Sequence, residues 1–186
     1  MAFSKERSCR RLILALTIVT GKKLNQPQKK SGPHSTRKRM ARPAAFLDSS
    51  IFITALLSSK GGAFYILNAL KDEIDLQTSE YALEEIEIVL QRKFSHMADM
   101  RTRLFLLLGT AGIAILQNQP KSEVMALKKY ISEKDAPILA SALKHSDYLL
   151  TLDNEFFNKS IIELANSRKL TILKPKGFIE KFAELD

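Results

Sequence analysis

From Ala44 onward, short apolar runs alternate with longer stretches whose apolar positions recur every third or fourth residue. Ala44–Leu47 reads as a buried strand. Ser49 and Ser50 stand ready to cap a helix running through Ile53 and Leu57, which Lys60-Gly61-Gly62 breaks. A second helix carries Phe64, Leu67 and Leu70 on one face. Ile74–Gln77 predicts another strand, and Thr78 or Ser79 the cap of a helix to about Phe94. The pattern then predicts a helix over Met97–Leu108 stopped by Gly109, and a strand over Ile113–Leu116. Helices follow over Glu123–Tyr130 and Glu133–Ser146, the latter opened by Ser132. Tyr148–Thr151 reads as a strand, Glu155–Lys169 as a helix and Thr171–Leu173 as a last strand. Pro175 then opens a terminal helix carrying Phe178 and Phe182.

Strands and helices in this alternation predict an α/β fold: a mainly parallel central sheet of about four to five strands, with helices on both faces, three layers in all. Ligand sites in such sheets lie beyond the carboxyl ends of the strands, which directs attention to the residues just after each apolar run.

Charge first suggests nucleic acid, then withdraws the suggestion. The chain of 186 residues has a formal net charge of +9. Residues 1–39 hold eleven Lys and Arg against the single acid Glu6, so they carry +10, and the other 147 residues carry −1. The basicity therefore belongs to an N-terminal extension, expected to be disordered from its Pro, Ser and basic composition. Arg10-Arg11 and Leu12–Val19 have the look of a secretory leader, but no small-x-small cleavage site follows. Met40 is a natural start for the domain, taken here as residues 40–186. The lone cysteine, Cys9, excludes an internal disulfide framework and fits a reducing, cytoplasmic setting. No apolar run approaches the ~20 residues of a membrane span.

Four acids fall at strand ends or on inward helix faces. Asp48 directly follows the first strand; it suits a helix cap, unless the two serines after it take that duty. In Glu80–Gln91, helical geometry puts Glu80, Glu84, Glu87 and Gln91 on one face, expected to be wet. Glu85 falls opposite, among Tyr81, Ile88 and Val89, with Arg92 as its charged neighbour. Asp135 shares a face with Ile138, Leu139 and Ala142, although Ser132-x-x-Asp135 also matches a relaxed capping box; Ala140-Ser141-Ala142 lets that helix approach the sheet closely. Asp153 ends the strand before the helix from Glu155, with Thr151 two residues earlier on the same face. Each acid alone is explicable as a cap or a solvated charge. Together they repel, raise one another's pKa and call for a cation. An all-oxygen donor set suits Mg²⁺ or Mn²⁺ and not zinc, and His96 and His145, each placed on a helix, have no partner pattern.

The motifs Phe-Leu-Asp48-Ser-Ser-Ile-Phe, Leu-Glu-Glu85-Ile-Glu-Ile-Val-Leu, Lys-Asp135-Ala-Pro-Ile-Leu-Ala-Ser-Ala and Asp-Tyr-Leu-Leu-Thr151-Leu-Asp153 resemble, in order, those of PIN-domain nucleases, over roughly residues 43–182. The likeness is nearest to prokaryotic PIN proteins described as toxin components of toxin–antitoxin systems. It implies a Mg²⁺- or Mn²⁺-dependent ribonuclease that hydrolyses phosphodiesters with one or two ions. Asp48, Glu85, Asp135 and Asp153 would be the metal-binding and catalytic acids, with Ser50 and Thr151 as polar support. RNA would be the substrate, an antitoxin protein a possible partner, and a homodimer the typical assembly. Glu84 replaces Glu85 if the helix register shifts by one. Lys60, Arg92, Lys134 and Lys144 are the candidates to hold substrate phosphates.

Two other readings compete. A PIN fold that binds RNA or protein and cuts nothing would keep the architecture; the presence of all four acids weighs against it. A phosphoacceptor receiver domain would need an acidic pair near the first strand and a late strand ending in Lys, where this chain has Thr151-Leu-Asp153.

Overall fold

Ala45 and Leu47 of strand β1 (Ala44–Leu47) enter the hydrophobic core on one face of a sheet, and Phe46 between them enters a separate core on the other. The same split recurs in β4 (Tyr148–Leu150), where Leu149 faces the Phe46 side and Leu150 the Ala45 side. The two-residue period of a strand thus makes two cores from one sheet, which requires helices on both faces.

The computed structural model describes residues 42–97 and 99–183. The extension of residues 1–39 and the start at Met40 lie outside the described residues. Strands β2 (Asp75–Ser79), β3 (Ala114–Leu116) and β5 (Thr171–Leu173) complete a five-stranded sheet of order β3-β2-β1-β4-β5. Every pairing is parallel, with Phe46 opposite Gln77 on one side and Leu149 on the other. The expected three-layer α/β architecture is what forms.

On the first face pack α1 (Ser49–Leu57), α2 (Gly62–Ala69), α3 (Glu80–Lys93), α4 (Met100–Thr110) and α8 (Pro175–Ala183), through Phe52, Ile66, Ile86, Leu104 and Phe178. On the second pack α5 (Lys121–Leu127), α6 (Ala136–His145) and α7 (Lys159–Ser167), through Leu127, Leu139 and Ile161. The all-small stretch Ala140–Ala142 is buried, as close helix–sheet approach requires.

Several boundaries differ from expectation, each for a local reason. Gly109 lies inside α4. The stop is Gly112, whose φ of +64° lets the chain turn while its N–H bonds to Gly109 O and that of Ile113 to Leu108 O. This is a Schellman ending, which needs a left-handed residue that Gly109 does not supply. The helix expected over Glu155–Lys169 is two pieces, a 3₁₀ turn at Asn154–Phe157 and then α7. Asn158 separates them, with extended backbone and a side chain that accepts from Ser160 N–H. His96 lies in the turn after α3 and not on a helix. No single helix among the described residues is long and apolar enough to cross a membrane.

Candidate active site

The carboxyl ends of β1 and β4 are locked side by side, because Asp48 N–H donates to Leu150 O at 3.0 Å. That bond sets where Asp48 starts. The residue occupies the N-cap position of α1 with extended backbone, yet its side chain makes no capping bond. Its Oδ2 instead accepts from Ser50 Oγ at 2.6 Å and Thr151 Oγ1 at 2.7 Å, and its Oδ1 from Ser49 Oγ at 3.3 Å. The expectation that the serines cap the helix is corrected: α1 begins at Ser49, and a capping side chain must precede the helix it caps. Their hydroxyls hold a buried carboxylate, which would be costly without such donors.

The hydroxyls also accept. Ser50 Oγ takes Leu152 N–H at 3.1 Å and Thr151 Oγ1 takes Asp153 N–H at 3.0 Å. Asp48 is thereby linked through one oxygen on each side to the segment that carries Asp153. Asp153 Oδ1 in turn accepts Glu155 N–H at 2.9 Å and caps the 3₁₀ turn, so the capping role foreseen for it is real.

Glu85 approaches from α3, which Ser79 caps by accepting Ala82 N–H at 3.2 Å. Burial pushes its carboxyl up to about 7; the Asp48 carboxylate adds to this and Asp135 less, while a hydrogen bond from Ser49 and the charge of Lys134 oppose. Asp48, Asp135 and Lys134 are therefore the charged groups acting on Glu85, and the expected neighbour Arg92 is exposed two turns further along. Of the face expected to be wet, only Gln91 is exposed; Glu80 and Glu84 are half-buried, and Glu87 departs furthest. Glu87 is buried, and Arg101 of α4 brings its Nη2 to 3.1 Å from the Glu87 Oε2. A helical wheel has no information about a neighbouring helix.

Asp135 is the N-cap residue of α6 and also makes no capping bond. Its Oδ2 accepts from Ser132 Oγ at 2.6 Å, while Ser132 N–H donates to Glu155 Oε1 at 2.6 Å. Burial raises the Asp135 carboxyl pKa, Ser132 lowers it, and a hydrogen bond with Glu155 raises it again. Lys134 Nζ lies 3.4 Å from Asp135 Oδ2 and 3.9 Å from Asp153 Oδ2. Of the other cations considered for phosphate contact, Lys144 pairs with Glu123 at 3.1 Å, and Lys60 and Arg92 are exposed.

Three residues not foreseen as site residues join this group. Ser49 contacts both Asp48 and Glu85. Tyr81 has its hydroxyl pKa raised by burial, then by Glu85 and Asp135. Glu155 accepts the N–H of Ser132, the residue whose hydroxyl holds Asp135. The sequence signal for the last was the second acid in Asp153-Asn154-Glu155. A cavity of about 390 Å³ lies elsewhere, at the amino end of the sheet beside Arg42, Lys71, Asp75 and Gly112.

A family model described as the PIN domain matches residues 45–161. The chain belongs to the PIN-domain family. No curated protein matches it. The matched span contains Asp48, Glu85, Asp135 and Asp153. PIN domains are generally nucleases that bind nucleic acid and use divalent metal ions, and the oxygen-only donor set of this PIN domain suits a hard divalent cation. That fit is chemical: Asp48 and Asp135 both repel the Glu85 carboxylate, and a cation relieves that repulsion. Among the described residues, no three or more His, Cys, Asp or Glu side chains already stand grouped as a metal cage.

Proposed function

We propose that this PIN domain is a Mg²⁺- or Mn²⁺-dependent ribonuclease hydrolysing RNA phosphodiester bonds, with Asp48, Glu85, Asp135 and Asp153 as its catalytic and metal-holding acids. The observation that carries the reading is the electrostatic coupling of Glu85 to Asp48 and Asp135, three acids from three different elements at one edge of the sheet. A fold has little reason to set carboxylates against one another unless a cation joins them. When bound, such an ion supplies polarisation of the phosphodiester and a lowered pKa for the attacking water. The chain's own part is to orient: Ser50 and Thr151 fix one oxygen of Asp48, and Ser132 fixes one oxygen of Asp135. Lys134, exposed and near two of the acids, is placed to meet a substrate phosphate.

The likeness of its motifs to prokaryotic toxin components supports a finer reading, a cytoplasmic toxin of a toxin–antitoxin pair, dimeric, with an antitoxin protein as partner. In this reading residues 1–39 are an extension and residues 40–186 the nuclease. Finding a small open reading frame beside the gene would raise this reading, and co-purification of its product would test it.

One observation favours a second reading, a PIN-fold binding module that cuts nothing: the described acids are not pre-grouped as a cage. An RNA and DNA cleavage assay with Mg²⁺ or Mn²⁺, comparing wild type with Asp48→Asn and Glu85→Gln, decides between them. Cleavage of RNA that is lost in both variants and in EDTA supports the ribonuclease. Binding without cleavage in wild type supports the module. Cleavage surviving both substitutions, or EDTA, overturns the metal-site assignment.

A further inference from the structure

The turn that presents Asp135 has an unusual division of labour. In a capping box, the first residue's N–H is accepted by the acid three positions later, which for Ser132 is Asp135. Here that N–H goes to Glu155 Oε1 at 2.6 Å, across 23 positions of chain. The Ser132 hydroxyl then donates to Asp135 Oδ2 at 2.6 Å. Asp135 is spared the capping task and receives a hydrogen bond where it would otherwise give up its carboxylate to a backbone N–H. Glu155 itself is placed by Asp153, whose Oδ1 accepts Glu155 N–H at 2.9 Å. The chain of contacts runs Asp153, Glu155, Ser132, Asp135, and joins the segment after β4 to the turn before α6.

We propose that Glu155 is a positioning residue of the nuclease site: it clamps the Ser132 backbone so that the Ser132 hydroxyl can orient the Asp135 carboxylate toward a divalent ion. The inference rests on the ribonuclease reading for the ion and on the hydrogen bonds alone for the clamp. Glu155 does its work through an acceptor oxygen, so an amide oxygen serves nearly as well. A direct metal ligand would behave otherwise, since an amide is a far weaker ligand for Mg²⁺ than a carboxylate. Loss of such an outer partner typically lowers metal affinity about 10–100-fold.

The test compares Glu155→Ala, Glu155→Gln, Ser132→Ala and the double variant Glu155→Ala/Ser132→Ala in the full chain. Mn²⁺ binding is measured by calorimetry, and amide hydrogen exchange at Ser132 in metal-free protein. Expected are at least an about tenfold weaker Mn²⁺ affinity in Glu155→Ala, recovery to within about threefold of wild type in Glu155→Gln, and a double variant no worse than the poorer single one. Faster exchange at Ser132 is expected in Glu155→Ala but not in Glu155→Gln. Equal loss in Ala and Gln variants overturns the clamp in favour of direct ligation. Additive losses, or unchanged Ser132 exchange in Glu155→Ala, overturn it too. A wild type that shows normal Ser132 protection and binds no Mn²⁺ overturns the ribonuclease reading together with the clamp's purpose, and so separates that failure from a failure of the clamp alone.

Discussion

The hydroxyl of Thr151 donates to Asp48 Oδ2 at 2.7 Å, bridging residues 103 positions apart in the chain. Both are buried, and the bond ties the end of β4 to the end of β1. Thr151→Val keeps the shape and removes the donor, leaving a buried carboxylate one partner short. The variant should lose about 1–3 kcal/mol of stability in urea denaturation, with Thr151→Ser losing much less. Equal losses in the two variants would show that the methyl group, not the hydroxyl, is what matters.

Glu85 makes the metal-free protein sensitive to pH. Its carboxyl pKa rises on folding from 4.5 to about 7, so the folded state binds the proton more tightly. For a raised acid, stability is greatest below the unfolded value and declines as pH climbs through the window from 4.5 to about 7. Allowing for solvent screening of a partly exposed group, the decline attributable to Glu85 is about 1–2 kcal/mol. Glu85→Gln should flatten thermal stability against pH in EDTA and be more stable than wild type above that window. A Gln variant with the same slope as wild type would assign the effect to another group.

Divalent ions should act in the opposite sense. A ligand that binds only the folded state raises stability by about 2.7 kcal/mol at a hundred times its dissociation constant. Mg²⁺ should therefore raise the melting temperature of the wild type at alkaline pH and leave Asp48→Asn and Asp135→Asn nearly unmoved. The proton released from Glu85 on binding should make the shift shrink below neutrality. A Mg²⁺ effect that persists in both variants would place the ion elsewhere.

On the far side of α3, Arg101 is a partner that cannot be removed cheaply. Its Nη2 sits 3.1 Å from the buried Oε2 of Glu87, in a contact that is ionic without being a well-aligned hydrogen bond. Arg101→Ala should cost about 1–3 kcal/mol by stranding a buried carboxylate. Glu87→Leu, which removes the charge itself, should be neutral or stabilising. Similar destabilisation by both, read from chemical denaturation, would contradict this account.

Much of the architecture was legible because two periods dominate the chain. Ala44–Leu47 and Tyr148–Leu150 are short, apolar and bounded, and the sheet formed where they predicted it. The gathering of Asp48, Glu85 and Asp135 was legible in the same way, from strand ends and from the face Glu85 shares with Tyr81. What escaped was set by contacts distant in sequence. Glu87 reads as solvated until Arg101 of α4 meets it, and Ser50 reads as a cap until Leu152 N–H reaches it. Glu155 reads as the start of a helix; only the fold reveals that its acceptor is needed by Ser132.

The sheet order has a consequence for when the protein acquires its site. β1 lies at the centre, and its outer neighbour β4 is made of residues 148–150, long after β2 at residues 75–79. A ribosome emits β1, β2 and β3 well before the strand that carries Thr151 and Asp153 to Asp48. Until then Asp48 has its neighbouring serines but lacks the Thr151 donor, and Asp135 and Asp153 are absent or unplaced. Pairing across such a separation is also the slow kind. If the four acids form the active site, an emerging chain is unarmed by its own topology until nearly all of the domain has left the tunnel.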